Sequence, residues 1–322
     1  MVHPRKSVAL ATLMAALVSA ASVHAQSQPY PNHPVTIVVP FAPGGPNDVI
    51  ARVAGNDLSK TWKQPVVVEN RAGAGGVVGA TYVSQREPDG YTLLISTNVL
   101  TFPILAKGLS IKPREDLVPV TIVAGGPLVL ASSTKLGAKT IADVVAKAKA
   151  NPGKLNAGVI ASTLSQLDAV YLFKKILGID VAAIPYNSTA QTLQALLAGE
   201  NDMNFTIVQA IRGPVEAGKV IPIAVAGEKR DPRLPSVPTF RELGIPYETG
   251  FWLGFYGPKG LQQDLTNRIA ADFAKTFSAP EVKDAVEKAG MSVMLAGPAA
   301  MRRTMDEEEK RYLEAAQLVE AK

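Results

Sequence analysis

Short apolar runs, each followed by a segment of helical period, succeed one another along nearly the whole chain. The runs are VTIVVPF (35–41), PVVVEN (65–70), YTLLIST (91–97), VPVTIVA (118–124), LVLASS (128–133), LNAGVI (155–160), VAAIPY (181–186), DMNFTIV (202–208), IPIAVAG (221–227) and FWLGFYGP (251–258). Most are continuous rather than alternating, which predicts strands covered on both faces. The helices between them have readable ends. Thr140 precedes IADVVAKAKA and Asn151-Pro152-Gly153 stops it; Gly178 ends 163–177 and Gly199 ends 189–198. Three more helices are predicted over 261–278, 281–289 and 298–318. In the last of these MDEEEKR (305–311) reads as a solvated face. Such alternation predicts an α/β protein with mostly parallel sheets. One series runs to about residue 125 and a second over 131–238. The strand at 251–258 and the tail helices then cross back to the first.

The ends of the chain bear on its location. Five residues after Met1 include Arg5 and Lys6, an uncharged Ala-rich run covers 7–23, and Val23-His24-Ala25 offers an A-x-A-like cut. This pattern predicts a signal peptide cleaved after Ala25 and a periplasmic protein. Cysteine is absent and histidine occurs three times, with His33 alone beyond the leader. A lipoprotein anchor, disulfides, thiol catalysis and cysteine-bound metal are excluded, and a His-based triad has no credible base. No basic stripe with interleaved aromatics points to nucleic acid.

Two glycine-rich turns are candidates for binding. Pro43-Gly44-Gly45-Pro46 ends the first strand and opens a helix, with Asn47 or Asp48 placed to cap it. The first N–H groups of a helix are orphan donors at a positive dipole end, so a carboxylate can satisfy them. An ordinary strand-to-helix turn is the competing reading. The second turn, Asn70-Arg71-Ala72-Gly73-Ala74-Gly75-Gly76, fails the dinucleotide fingerprint because Val78 stands where glycine is needed, and it lacks the lysine of a P-loop. Tight helix–sheet packing or a second donor rim remains. Arg71 suits either an anion or a strand-end carboxylate.

These stretches resemble the Bug-type substrate-binding proteins, the extracytoplasmic receptors of tripartite tricarboxylate transporters. The resemblance rests on VPFAPGGPND (39–48), VVVENRAGAGGVVGA (66–80), PDGYTLLIST (88–97), AKANPGKLNAG (148–158), IPYNSTA (184–190), LLAGENDMNF (196–205), RDPRLPSVPTFRELGIP (230–246) and FWLGFYGPKG (251–260). It implies a two-lobed periplasmic-binding-protein fold, a Venus flytrap with a mostly parallel sheet in each lobe. Lobe 1 would be 26–128 with 250–322, and lobe 2 would be 129–249. It further implies that the 40–46 loop, with Phe41, Ala42, Pro43, Gly44 and Gly45, offers amides and ordered waters to a ligand carboxylate. Asn47 and Asp48 follow it, and Ser96, Thr97 and Asn98 line the same side.

The second lobe departs from the family pattern. Where a glycine-rich turn into a helix is usual, this chain has Ile160, Ser162 and Thr163, with Gln166 in place of a histidine. Tyr186 precedes Asn187 and Ser188, and Thr206 stands where an acidic residue is common. With Ser162, Thr163, Gln166, Tyr186 and Thr206 as the far wall, a ligand with one carboxylate and a neutral or apolar far end is expected; a dicarboxylate stays open. The functional expectation is a monomeric, non-enzymatic receptor without cofactor or metal, delivering a small organic carboxylate to large and small permease subunits. A sensor for a membrane signalling protein is the alternative, and an enzyme acting on a carboxylate a more distant one.

Overall fold

The computed structural model describes residues 30–98, 111–160, 165–186 and 188–320. The expected signal segment and the expected ligand residues Ser162 and Thr163 lie outside these. The chain divides into two compact units, Met1–His33 and Pro34–Lys322. All elements below belong to the second.

In chain order they are β1 (Val35–Val39), α1 (Pro46–Trp62), β2 (Val66–Asn70), α2 (Val77–Ser84), β3 (Thr92–Thr97), the single turn α3 (Pro113–Asp116) and β4 (Leu117–Ser133). Then come α4 (Ile141–Ala150), β5 (Asn156–Ile160), α5 (Ser165–Val170), which widens into a π-helical turn over Tyr171–Ile176, β6 (Ala182–Tyr186), α6 (Thr189–Ala198) and β7 (Met203–Ile207). The chain ends with α7 (Val208–Glu216), β8 (Val220–Val225), β9 (Gly250–Pro258), α8 (Gln263–Ser278), α9 (Pro280–Lys288), β10 (Ser292–Ala296) and α10 (Pro298–Glu320).

The helix signals act as expected. Thr140 and Asp143 form a reciprocal capping box on α4, satisfying two orphan amides. Ser188 caps α6, and Gly199 closes it at φ +69°. α7 was not expected, because Pro214 lies inside it. Proline ordinarily breaks a helix.

The strands form one curled sheet in the order β2-β1-β3-β9-β4-β7-β5-β6, with β10 and β8 also pairing with β4. The outer ladders β1–β2, β1–β3, β5–β6 and β5–β7 are parallel. Every ladder through β4 or β9 is antiparallel. The strands of each half thus run mostly one way, as expected, and the sheet as a whole is mixed because β9 and β10 in the first half and β4 in the second run against them. Two separate strands were expected at 118–124 and 128–133, but Gly125-Gly126-Pro127 does not break the chain, and one strand of 17 residues serves both ends of the sheet. The glycines are there for β9: a Cβ on Gly125 would sit 2.3 Å from the carbonyl oxygen of Phe251, and one on Gly250 would sit 2.5 Å from that of Gly126. These are backbone contacts that only glycine permits.

Residues 117–127 of β4 pair with β9 in the first half of the sheet, and residues 128–132 pair with β7 in the second. Val38, Leu94, Trp252, Met301 and Met305 share a core on one face of the first half. In the second half β4 alternates, sending Leu128 and Leu130 to a core with Phe173, Phe205 and Tyr247, and Val129 and Ala131 to another with Leu196 and Ile211. The tail returns to the first half: Phe273 of α8 stacks on Phe255 of β9 at 4.0 Å, and Trp62 of α1 donates to Asp272 at 2.7 Å.

Candidate functional site

Strand direction brings the expected site residues to two rims. β3 ends at Thr97, which is level with Leu253 of β9, which in turn is level with Ala124 of β4. β4 runs in the same sense as β3, so it leaves the first half at the rim formed by the C-terminal ends of β1 and β3. It enters the second half with Leu128 opposite Ile207, the last residue of β7. That strand runs parallel to β5, as β5 does to β6. The C-terminal rims of both halves therefore face each other across four residues of β4. At ~3.3 Å per residue this is about 13 Å.

The first rim is built around the loop after β1. Pro46 is the first residue of α1 and Gly45 its N-cap, with no side-chain cap. Neither Asn47 nor Asp48 caps the helix, contrary to expectation, because both already lie inside its first turn. Asp48 does a different job. Its carboxylate accepts from the Gly44 amide at 3.0 Å, from Arg52 at 3.0 and 2.9 Å, and from Asn70 at 2.9 Å. The Arg52 hydrogen bond is the main reason its pKa falls to about 2, against an opposing push from burial, with the Gly44 and Asn70 bonds adding to the fall. Gly44 turns through φ +86° to present that amide. Asn70, at the end of β2, also donates to the Phe41 carbonyl at 3.1 Å. It is a site residue that the sequence reading missed. Its one signal was a polar side chain ending an apolar strand beside a glycine turn.

With the Gly44 amide occupied and no N–H on Pro43 or Pro46, the amides of Gly45, Asn47 and Asp48 have no intrachain acceptor among the described residues. Ala42, Pro43 and Gly44 are exposed at the loop tip, and Phe41 is half-buried. Two buried side-chain oxygens in this region, Asn47 Oδ1 and Ser96 Oγ, also lack a partner. By the β1–β3 register, which sets Val38 beside Leu94, the loop after Val39 rises next to Ser96, Thr97 and Asn98. Thr97 is half-buried. Asn98 is buried and donates to the Gly250 carbonyl at 3.4 Å.

The second glycine turn supports this rim. A Cβ on Gly79 would lie 2.8 Å from Pro40 Cβ and 2.9 Å from its Cα, so α2 sits hard against the start of the binding loop. Ala74, Gly75 and Gly76 follow one another at positive φ (46°, 65° and 100°). Arg71 takes the structural option, pairing with Glu69 at 2.6 Å and lying 3.6 Å over the Tyr82 ring.

The second rim brings together Tyr186, Thr206 and the end of β5. Ile160 pairs with Tyr186, and Gly158 pairs with Asn204, which sets Thr206 level with Ile160 two residues on. The Tyr186 hydroxyl donates to Asn201 at 3.0 Å, and Asn201 to Asn204 at 3.3 Å. Gly158 leaves space for both amides: its Cβ would meet Asn201 at 2.3 Å and Asn204 at 2.5 Å. Thr206 is buried. Gln166 lies on α5, which begins at this rim. The tyrosine and threonine bring hydroxyls and no charge. Among the described residues no cluster of His, Cys, Asp or Glu is arranged for a metal, and no helix is long and apolar enough to cross a membrane.

Two half-sheets joined by the shared strand β4, with facing C-terminal rims, define the class of the two-lobed solute-binding proteins. An R. palustris protein solved with adipate superposes with a TM-score of 0.71 at 30% identity over 90% of this chain and 98% of its own. MatC from Rhodopseudomonas palustris, with bound malate, does so at 0.67 with 29% identity over 89% and 99%. The chain belongs to the tripartite tricarboxylate transporter family receptors (TctC), whose family model matches residues 50–319. Protein BugT of Bordetella pertussis is 32% identical over 290 residues, 88% of either chain. The family is one of receptors and not of enzymes.

Proposed function

We propose that this protein is a periplasmic receptor that captures a small organic carboxylate between lobe 1 (26–128 with 250–322) and lobe 2 (129–249) and delivers it to large and small permease subunits in the membrane. The observation that carries the reading is the set of amides at Gly45, Asn47 and Asp48, aimed from a helix N-terminus with no acceptor of their own. A carboxylate is their natural partner. The nearby cations are engaged, Arg52 with Asp48 and Arg71 with Glu69, so the anion is read by peptide N–H groups. Each charge-assisted hydrogen bond contributes about 1.5–3 kcal/mol, and three cover much of the ~8 kcal/mol of a micromolar complex.

Across the gap, Tyr186 and Thr206 supply uncharged polar groups. They suit a ligand with one carboxylate and a neutral or apolar far end. The adipate- and malate-bound relatives favour a second reading, a dicarboxylate whose far end takes hydroxyl and amide donors. A thermal-shift screen over mono- and dicarboxylates separates the two, since a tight ligand raises apparent stability by mass action. Uniform preference for dianions removes the monocarboxylate reading. No shift with any carboxylate removes the receptor reading.

A further inference from the structure

The charged run near the end of the chain is not a solvated face throughout. Along α10 the buried residues are Met301, Met305, Glu308, Tyr312 and Ala315, the spacing of one helical stripe. Glu308 and Arg311 face into the protein, whereas Asp306, Glu307 and Lys310 face water. Glu308 accepts from Trp252 Nε1 at 3.1 and 3.2 Å and from Asn98 at 3.5 Å. One helical turn further, Arg311 donates to the Glu248 carbonyl at 2.9 Å, the Thr249 hydroxyl at 3.2 Å and the Tyr312 hydroxyl at 3.3 Å, and lies 3.8 Å from Asp168 of α5. Asp168 accepts from Thr249 at 2.8 Å and from Tyr312 at 3.4 Å, while its carbonyl accepts from Tyr247.

This network spans the crossing. Trp252, Met301 and Met305 belong to the core of the first half, whereas Tyr247 and Ala169, next to Asp168, belong to that of the second. Rotation of one half against the other moves Asp168 relative to α10 and leaves Glu308 on Trp252. The charge count is unbalanced: two buried carboxyls face one guanidinium. Burial raises both carboxyls, Glu308 to about 7, with Asp168's charge pushing the same way and Arg311 opposing. Charges removed from water without full pairing are costly, and protonation relieves the cost. A cavity of about 500 Å³ lined by Tyr171, Arg241, Pro246, Tyr247, Glu248 and Arg311 brings water to the network's edge, giving protons a route in and out.

We propose that the opening and closing of the two halves is proton-linked through Glu308, Asp168 and Arg311. When Asp168 draws away from α10, its repulsion of Glu308 falls while Arg311 stays on the same helix, so Glu308 gives a proton to water; when the halves close and Asp168 returns, Glu308 takes one up. The proposal rests on the receptor reading only in requiring that the halves move. Among the groups that face Glu308, the charged or titratable ones are Arg311 and Tyr312 of its own helix and Asp168 of α5; Trp252 of β9 and Asn98 beyond β3 are neutral donors.

The test is calorimetry of malate and adipate binding at pH 7 in buffers of different ionisation enthalpy, repeated from pH 6 to 8. The wild type is expected to exchange a fraction of a proton, with its Kd changing about three- to tenfold over that range, within the tenfold per unit that one proton allows. Glu308→Gln keeps the shape and the acceptor oxygen and is expected to exchange none, with a flat Kd. A wild type without proton exchange, or exchange that persists in Glu308→Gln, overturns the proposal. If Glu308→Gln does not fold, Asp168→Asn replaces it, and an unchanged pH profile is then the refuting result. If neither acid binds, the dicarboxylate reading is what fails. Small-angle scattering of the ligand-free protein then decides: a radius of gyration that differs between pH 6 and 8 in the wild type alone supports the linkage, and one that does not differ refutes it.

Discussion

The two rims of the cleft are both made from the ends of parallel strands, yet they are finished differently. The first is a backbone surface. Its donors are peptide amides, and its side chains, Asp48, Arg52 and Asn70, are spent on holding the loop in place. The second is a side-chain surface, where Tyr186 is tethered to Asn201 and Thr206 sits at a strand end. A backbone site recognises an anion whatever residues flank it, provided the loop keeps its shape. A side-chain site changes its chemistry with each substitution. On the proposed reading the general need, a carboxylate, falls to the rim that is hard to alter, and the particular ligand to the rim that is easy to alter.

Breaking the support of the first rim should have the largest effect. Gly79→Val drives a branched side chain into Pro40. Such overpacking should cost about 3 kcal/mol of stability and abolish ligand-induced thermal shifts, as a denaturant titration and a carboxylate screen would record. Asp48→Ala is next. It removes the acceptor of Gly44, Arg52 and Asn70 and should lower unfolding free energy by about 2–3 kcal/mol, with weakened binding. Because Asp48's pKa lies near 2, below the ordinary 3.8, its stabilisation is complete above about pH 4 and is lost as pH falls through 2. Acid titrations of the two proteins should therefore converge at the low end.

Gly45→Pro sharpens the comparison without touching that support. Gly45 has φ −79°, which proline accepts, so the change deletes one amide donor. Affinity should fall about ten- to a hundredfold by calorimetry, with the melting temperature little changed. Thr206→Val is the mildest. It removes one hydroxyl from the second rim and should weaken binding by less than about tenfold, while reordering the preference among ligands that differ only at the far end. If Thr206→Val abolished all binding and Gly45→Pro had no effect, the roles of the rims would be the reverse of those given above.

Much of the architecture is legible in the amino-acid order because local signals and burial agree. Continuous apolar runs became strands, covered on both faces in β1, β4 and β9 but not in the edge strands β2 and β6, and Thr140, Gly178 and Gly199 mark helix ends as their chemistry requires. The failures come from long-range contacts that no local signal carries. Gly125-Gly126-Pro127 has the composition of a turn, yet it stays extended because β9 approaches within backbone contact. Asp48 looks like a cap or a ligand, and only the return of Asn70 from another strand shows it to be a brace. Glu308 is hidden in a charged run, although the four- and three-residue spacing of Met301, Met305, Glu308 and Tyr312 put a carboxylate in line with core residues. The partners that make it unusual, Asp168 and Trp252, are 140 and 56 positions away in the chain.

The unbroken strand β4 has an evolutionary corollary. The distance between the two rims is counted in residues of one extended segment, and side chains along such a segment alternate between faces. Inserting a single residue between Gly125 and Leu128 would turn every inward group of the far half outward and scramble its cores. Only insertions in pairs preserve the alternation, each widening the gap by about 7 Å. Descendants of this scaffold can therefore accommodate a ligand one carbon longer by exchanging wall residues, but they can lengthen the frame only in large discrete steps.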